Sequence, residues 1–119
     1  GAGARESSQQ VAERVARART VQSRRFAGMG IFTNAEMDSR QLERFCPLTE
    51  ECRNVLERLL SRMGLSARAY TRILKVSRTI ADLEAVSGAD DGGTVALEPR
   101  HLLEAASYRF LDRKDLLEP

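Results

Sequence analysis

The chain has 119 residues, of which 42% are hydrophobic and 30% charged, a balance typical of one folded domain and not of a disordered segment. The formal net charge of +2 is too small to indicate nucleic-acid binding by itself. The sequence contains no apolar run long enough to cross a membrane, so no membrane partner is expected.

The first helix is expected to begin at a serine cap, Ser7 or Ser8, and to run to about Arg25. Its apolar stripe is narrow and consists of Val11, Val15, Ala18 and either Val21 or Gln22. The arginines of this helix lie mostly outside the stripe: Arg14, Arg17, Arg24 and Arg25. They indicate either a solvated basic face or a face that meets a polyanion or another subunit, and Arg14 and Arg17 are the candidates for such a contact.

An irregular stretch is expected after the first helix, because Gly28 and Gly30 interrupt the helical pattern. Ile31 and Phe32 are expected to anchor this stretch to the core. The aromatic ring of Phe32 is therefore expected to be buried.

Two further helices are expected in the middle of the chain. The second helix, capped by Asp38 or Ser39, is expected to end at about Phe45. The third is capped by Thr49 and ends at Gly64, since glycine readily adopts the left-handed conformation that stops a helix. Its buried face is expected to contain Cys52, Val55, Leu56, Leu59, Leu60 and Met63.

The fourth helix is the most informative element of the sequence. Ser66 can cap it, and its apolar stripe consists of Tyr70, Ile73, Leu74, Ser77, Ile80 and Ala81. Arg68 is unexpected in its first turn, because the start of a helix carries partial positive charge. Arg68, Arg72 and Lys75 share one face of this helix. An anion such as phosphate would make the arrangement favourable, since free N–H groups also face that end of the helix.

The C-terminal part is expected to form one more helix, which begins at Pro99 after a flexible loop at residues 89–94. The apolar side of this helix is expected to contain Leu102, Leu103, Ala106 and Phe110. His101 is expected at the helix surface or edge in a structural role. Cys46 and Cys52 fit no zinc-site spacing and are expected to be partly buried thiols. The predicted fold class is all-α, a small bundle of about five helices.

Residues 66–83 resemble the C-terminal domain of magnesium-chelatase-like AAA+ ATPases, within the bacterial branch that includes the competence-linked protein ComM and YifB. Weaker matches at residues 6–19, 33–46 and 101–113 extend the resemblance over nearly the whole chain. The resemblance implies a helical lid that follows an ATPase core. It also implies that Arg68 is the sensor-2 arginine, which contacts the terminal phosphate of ATP, often in the neighbouring subunit. Arg72 matches a further arginine of the family.

The resemblance also implies the wider setting of the domain. Residues 7–111 would form the lid, with a linker or cloning remnant at residues 1–6 and a frayed tail at 112–119. ATP and Mg²⁺ would act in the full-length protein, and this domain alone would hold neither tightly. Its partners would be the AAA+ core of the same chain and neighbouring subunits of a cytoplasmic ring. Resemblance to the ComM branch implies a ring that acts on DNA, whereas resemblance to the chelatase subunits implies metal insertion into a porphyrin, and the DNA branch is favoured.

The sequence contains no glycine-rich phosphate-binding loop, no magnesium-binding aspartate on a strand and no metal-ligand pattern, so the chain alone is predicted not to catalyse hydrolysis. Two alternatives stay open. The close junction of the third and fourth helices also resembles a helix-turn-helix, and a stand-alone DNA-binding module would expose Arg68, Ala69, Arg72 and Lys75. The third hypothesis is a purely structural domain whose basic face contacts another subunit.

Overall fold

A computed structural model describes residues 7–85 and 95–108 of the chain. Five α-helices and one short 3-10 helix follow one another in these residues: α1 (Ser8–Arg25), the 3-10 helix (Asn34–Glu36), α2 (Ser39–Phe45), α3 (Glu50–Met63), α4 (Ala67–Ala85) and α5 (Pro99–Tyr108). The prediction of a small all-α bundle is therefore confirmed. The predictions for residues 1–6, the loop at 89–94, Phe110 and the tail at 112–119 lie outside the described residues.

Side-chain caps define the starts of the helices. Four capping side chains accept a hydrogen bond from the backbone N–H three residues further on, at 2.9–3.2 Å: Ser7, Asp38, Thr49 and Ser66. Helix α3 ends at Gly64, which has φ 61° and ψ 40° in the left-handed region. Leu65 then turns back, because its N–H donates to the carbonyl of Leu60 at 3.2 Å. Helix α4 therefore follows α3 after only three residues.

Helix α4 lies at the centre of the bundle, where it packs against α5, α1, the 3-10 helix and α2. Helix α5 also covers α3. Five of the six stripe residues predicted for α4 are buried: Ile73, Leu74, Ser77, Ile80 and Ala81. The sixth, Tyr70, is partly buried and packs against the main hydrophobic cluster. The position of every other helix is thus defined by its contact with α4 or α5.

Helix α1 is buried over a shorter length than its sequence pattern predicted. Ala18, Val21 and Gln22 are buried, and the first two pack against Leu83 of α4. Val11 is 40% exposed, although it belongs to the predicted stripe. All the buried residues of α1 lie at or beyond Ala18, so its first turns extend past the part of the helix that the core covers.

Two predicted faces also need correction. On α3, Leu59, Leu60 and Met63 are only partly buried. On α5, Leu102 and Ala106 are buried as predicted, but Leu103 is 52% exposed, and His101 and Ala105 are buried in addition. The prediction of His101 at the surface or edge was wrong. Its ring can be buried because Nδ1 accepts the N–H of Glu98 at 2.9 Å and Nε2 lies 3.0 Å from a carboxylate oxygen of Glu84.

The two cysteines are fully buried free thiols and not partly buried ones. Cys52 Sγ donates to the carbonyl of Leu97 at 3.4 Å, and Cys46 Sγ lies 4.0 Å from the carbonyl of Leu74. Burial raises the pKa of the Cys46 thiol to about 11. Both thiols therefore act as small apolar groups of the core.

A polar cluster that the sequence analysis missed lies in the middle of the bundle. Asp82 is 2% exposed, and Arg25 donates to both of its carboxylate oxygens at 2.7 and 2.8 Å. Asn34 Nδ2 donates to Asp82 Oδ2 at 2.8 Å, and Arg78 Nε donates to Asp82 Oδ1 at 3.3 Å. We name these four residues the Asp82 cluster. Arg25 was expected on the basic face of α1 and is buried because the carboxylate satisfies its charge.

The Asp82 cluster joins elements that are distant in sequence. Its members belong to α1, the 3-10 helix and α4. Arg78 extends the cluster, because it donates to the carbonyl of Phe45 at 3.0 Å and to the carbonyl of Val95 at 2.6 Å. Burial lowers the pKa of the Arg78 guanidinium, and the adjacent Asp82 carboxylate opposes that shift. The cluster thereby fixes the orientation of α4 relative to α1, α2 and the segment before α5.

Candidate functional site

The start of α4 presents the basic residues that the sequence singled out. Arg68 and Arg72 are exposed and lie one turn apart, while Ala69 and Ile73 on the other side of the helix are buried. The Oγ of Ser66 accepts the N–H of Ala69 at 3.2 Å, which satisfies one open donor of the first turn. The two arginines thus stand on the exposed side of a capped helix end, where the helix dipole favours an anion.

Thr71 stabilises the same turn from within. Its hydroxyl donates to the carbonyl of Arg68 at 2.9 Å and lies 3.3 Å from the carbonyl of Ala67. The hydroxyl is therefore satisfied by the backbone of its own helix. The surface chemistry of this turn comes from the two guanidinium groups.

Lys75 lies on the same face but has a different role in the structure. Its side chain is only partly exposed, and Nζ donates to the carbonyl of Ala35 at 3.0 Å. Lys75 therefore links α4 to the 3-10 helix. The face that we name the α4 basic face (Arg68, Arg72 and Lys75) borders the loop between α1 and α2.

The structure places the other two candidate residues elsewhere. Arg14 is partly buried and lines a groove of about 400 Å³ between α1, α4 and α5, together with Glu84 and Glu104. The α4 residues of this groove begin at Val76, eight residues and roughly 12 Å along the helix from Arg68. Arg17 is exposed on α1. The five predicted contact residues consequently do not form one patch.

The prediction that the Phe32 ring is buried was wrong. Its side chain is 70% exposed instead of anchored in the core, whereas Ile31 packs against the core cluster as expected. Phe32 lies three residues before Ala35, whose carbonyl binds Lys75. An exposed aromatic residue therefore belongs to the loop that borders the α4 basic face.

Residues 7–85 and 95–108 contain neither a cluster of metal-ligand side chains nor a membrane-spanning helix. No three His, Cys, Asp or Glu side chains of this part of the chain lie close enough together to hold a metal ion. None of its helices combines the length and the apolar character that crossing a membrane requires. The α4 basic face stays the candidate site that the sequence predicted.

The Asp82 cluster, which holds α4 in place, was not predicted from the sequence. A signal was present, because Arg78 and Asp82 are four residues apart at the edge of the apolar stripe of α4. Their partners Arg25 and Asn34 are 57 and 48 residues from Asp82, so no local pattern could identify them.

Comparison with known proteins gives matches over nearly the whole chain. The family model described as magnesium chelatase, subunit ChlI C-terminal, matches residues 5–109. Competence protein ComM of Haemophilus influenzae is 43% identical over 108 residues, which cover 91% of this chain and 19% of ComM. The protein YifB of Salmonella typhimurium and that of Escherichia coli are each 41% identical over the same shares. The chain thus spans about a fifth of the length of these relatives. No solved structure gives a significant match.

Proposed function

The chain belongs to the family of the magnesium chelatase ChlI C-terminal domain, and we propose that it is the helical lid of an AAA+ ATPase in which Arg68 is the sensor-2 residue. The observation that carries the proposal is the exposure of Arg68 on the first turn of a capped helix, with Arg72 one turn later. Residues 7–111 constitute the lid in this proposal. The rest of the parent protein would supply the ATPase core.

The proposed role follows from the chemistry of phosphoryl transfer. Its transition state carries charge on the terminal phosphate oxygens, and a positioned guanidinium group stabilises that charge electrostatically. ATP and Mg²⁺ are expected to bind in the full-length protein, where the core holds them. Arg68 would donate to the phosphate once the lid docks, and Arg72 would add a second positive charge. Ser66 would hold the helix start in place.

The lid would move as one body because the Asp82 cluster joins α1 to α4. Docking of the lid would then couple the nucleotide state to the arrangement of neighbouring subunits in a ring. One relative is named a competence protein, and we extend the proposal to a parent ring ATPase that acts on DNA in the cytoplasm.

The test is Arg68→Ala in the full-length protein. We expect ATP turnover to fall by roughly 10²- to 10³-fold, the range for loss of one preorganised group that stabilises transition-state charge. The isolated domain should keep its helical content and unfolding midpoint, since Arg68 is exposed. Arg58→Ala, an exposed arginine on α3, is the matched control and should leave turnover unchanged. Wild-type turnover and wild-type nucleotide-dependent assembly in the Arg68 variant would refute the sensor-2 role.

A DNA-binding module is the alternative function, favoured by the exposure of Arg68 and Arg72 at the start of α4. This alternative also expects Ala69 and Lys75 to be exposed. Instead, Ala69 is buried and Lys75 binds the carbonyl of Ala35. Salt-dependent binding of duplex DNA by the 119-residue chain, lost in the Arg68→Ala variant, would favour this alternative.

A further inference from the structure

Phe32 is the most exposed large apolar side chain in the residues that the structure describes, at 70%. The chain on both sides of it is well anchored. Ile31 packs against the core, and Asn34 and Met37 are 1% and 3% exposed. A single exposed apolar residue on a loose loop would carry no information. Here the exposed ring lies between two anchored residues, Ile31 on one side and Asn34 on the other.

Glu36 holds the backbone at Phe32 itself. One carboxylate oxygen accepts the N–H of Phe32 at 3.2 Å, the N–H of Thr33 at 3.1 Å and the hydroxyl of Thr33 at 3.0 Å. These hydrogen bonds, with that from the Thr33 hydroxyl first, lower the pKa of Glu36. The carboxylate is therefore ionised at neutral pH, and its hydrogen bonds hold the backbone of Phe32 and Thr33 in position.

Asn34 fixes the next residue of the loop. Its N–H donates to Gln22 Oε1 of α1 at 3.0 Å, and its side chain belongs to the Asp82 cluster. Its Nδ2 also donates to the hydroxyl of Thr79 at 3.1 Å. Phe32 thus projects from a framework that is part of the core, so its exposure is imposed by the fold. A ring presented in this way loses little conformational entropy on binding.

The charges next to the loop indicate the kind of surface that would receive the ring. Lys75 Nζ binds the carbonyl of Ala35, so the α4 basic face meets the Phe32 loop at its Lys75 end. Aromatic and arginine side chains together are typical of the residues that dominate protein–protein binding. A complementary surface would have an apolar pocket for the ring and negative charge opposite the α4 basic face.

We propose that Phe32 is the anchor through which this domain docks on the ATPase portion of its parent protein, in an apolar pocket. The inference rests on the proposed function for the identity of that partner. The chain spans 19% of its relatives, so about four-fifths of the parent protein are available to supply the pocket. Docking by Phe32 brings the α4 basic face, which Lys75 links to this loop, to the same partner.

The first test measures docking directly by hydroxyl-radical footprinting of Phe32. We expect the ring to be modified at least about tenfold more slowly in the full-length protein with ATP than in the 119-residue chain, because the pocket excludes water from it. Leu103, 52% exposed on α5, is the control and should be modified equally in both. Equal modification of Phe32 in the two proteins, with and without ATP, would overturn the proposal.

The second test replaces the anchor. Phe32→Ser should leave the fold and unfolding midpoint of the 119-residue chain unchanged, since the ring is mostly in water. In the full-length protein it should weaken docking roughly 30-fold, which corresponds to about 2 kcal/mol, and reduce ATP turnover accordingly. Phe32→Trp should lose less turnover than Phe32→Ser because it keeps an aromatic ring, and Leu103→Ser should behave as wild type. Unchanged turnover in Phe32→Ser would contradict the anchor role.

The two proposals can fail separately. If Arg68→Ala loses turnover while Phe32 stays accessible in the full-length protein, the anchor is refuted and the sensor-2 role stands. If Phe32 is protected while Arg68→Ala keeps wild-type turnover, the sensor-2 role is refuted and the docking anchor stands.

Discussion

Asp82 accepts hydrogen bonds from three side chains that come from three different parts of the chain. Arg25, Asn34 and Arg78 surround its carboxylate at 2.7–3.3 Å in a site that excludes water. Two guanidinium groups therefore share a single carboxylate. Arg78 also donates from Nη1 to the carbonyl of Phe45 and from Nη2 to the carbonyl of Val95. This arrangement makes the carboxylate difficult to replace.

Asp82→Asn tests the energetic weight of the cluster. The substitution leaves two buried guanidinium groups opposite a neutral amide, so we expect a loss of about 3–5 kcal/mol in the free energy of unfolding. Urea unfolding of the 119-residue chain measures it. Glu98→Gln, which alters the exposed contact with Arg100, is the control and should cost about 1 kcal/mol or less. Equal effects of the two substitutions would contradict the role assigned to the cluster.

Single residues were the part of the structure that the sequence predicted least well. Helical periodicity assigns charged residues to water and aromatic residues to the core. Arg25 and Phe32 reverse that rule, because one finds a carboxylate 57 residues away and the other lies in a loop held by Glu36. His101 is buried for a similar reason, since Glu84 on another helix satisfies its ring. Arg68 and Arg72 are exposed, as their place outside the apolar stripe of α4 indicated, and their role stays a prediction.

At the scale of elements, the junction of α3 and α4 places the candidate site. Gly64 adopts φ 61°, and Leu65 folds back on α3 before Ser66 caps α4. The direction of α4, and with it the position of Arg68, depends on this three-residue turn.

Gly64→Ala tests the turn. A Cβ at this position would meet no atom within 4 Å, so the expected cost is conformational alone. We expect a loss of roughly 1 kcal/mol in the free energy of unfolding, because alanine adopts the left-handed region poorly. Ser61→Ala, at an exposed position of α3, should change it by less than about 0.5 kcal/mol. An unchanged free energy of unfolding in Gly64→Ala would mean that alanine adopts the left-handed conformation at this turn without cost, contrary to the prediction.

Helix boundaries were predicted well because caps and stop signals lie within a few residues of the boundary. Asp38 and Thr49 bind the N–H groups three positions later, as their residue types suggested. The depth at which each helix is buried was predicted less well. Val11 and Leu103 belong to the predicted apolar stripes and yet are exposed, because the part of a stripe that other elements cover is a property of the tertiary structure.

At the scale of the whole molecule, stability should depend on pH through a few shifted groups. Burial raises the pKa of Cys46 from 9.0 to about 11. Hydrogen bonds from Arg100 and His101 lower the pKa of Glu84. A raised thiol pKa stabilises the fold below about pH 9 and loses that contribution as the pH rises towards 11, whereas a lowered carboxyl pKa stabilises it above about pH 4.5 and loses that contribution on acidification.

Cys46→Ala isolates the alkaline part of this profile. The difference in unfolding free energy between wild type and variant should shrink by about 1 kcal/mol between pH 8 and pH 10, because only the wild type must keep a thiol protonated in the core. Taking the difference cancels the titration of all shared groups. Chemical unfolding at four pH values measures it. A difference that stays constant would mean that the thiolate is tolerated in the folded state.

The fold class could be predicted from the sequence because five helical patterns with clear ends admit only a helical bundle. The way the helices cross could not. Helix α1 meets α4 through Leu83 and the Asp82 cluster, and those contacts depend on residues that lie more than 40 positions apart. The loop that carries Phe32 is fixed by the same distant contacts, so its place beside the α4 basic face emerges only in three dimensions.

The Asp82 cluster also affects how the protein folds during its synthesis on the ribosome. Arg25 is synthesised 57 residues before Asp82, an interval of roughly 3–11 s at ordinary elongation rates. During that interval α1, whose buried residues all lie at or beyond Ala18, has emerged without the helix that later holds it. Helix α1 can therefore pack only after the last turns of α4 have been synthesised. Most of the domain must leave the exit tunnel before its first helix reaches its native position.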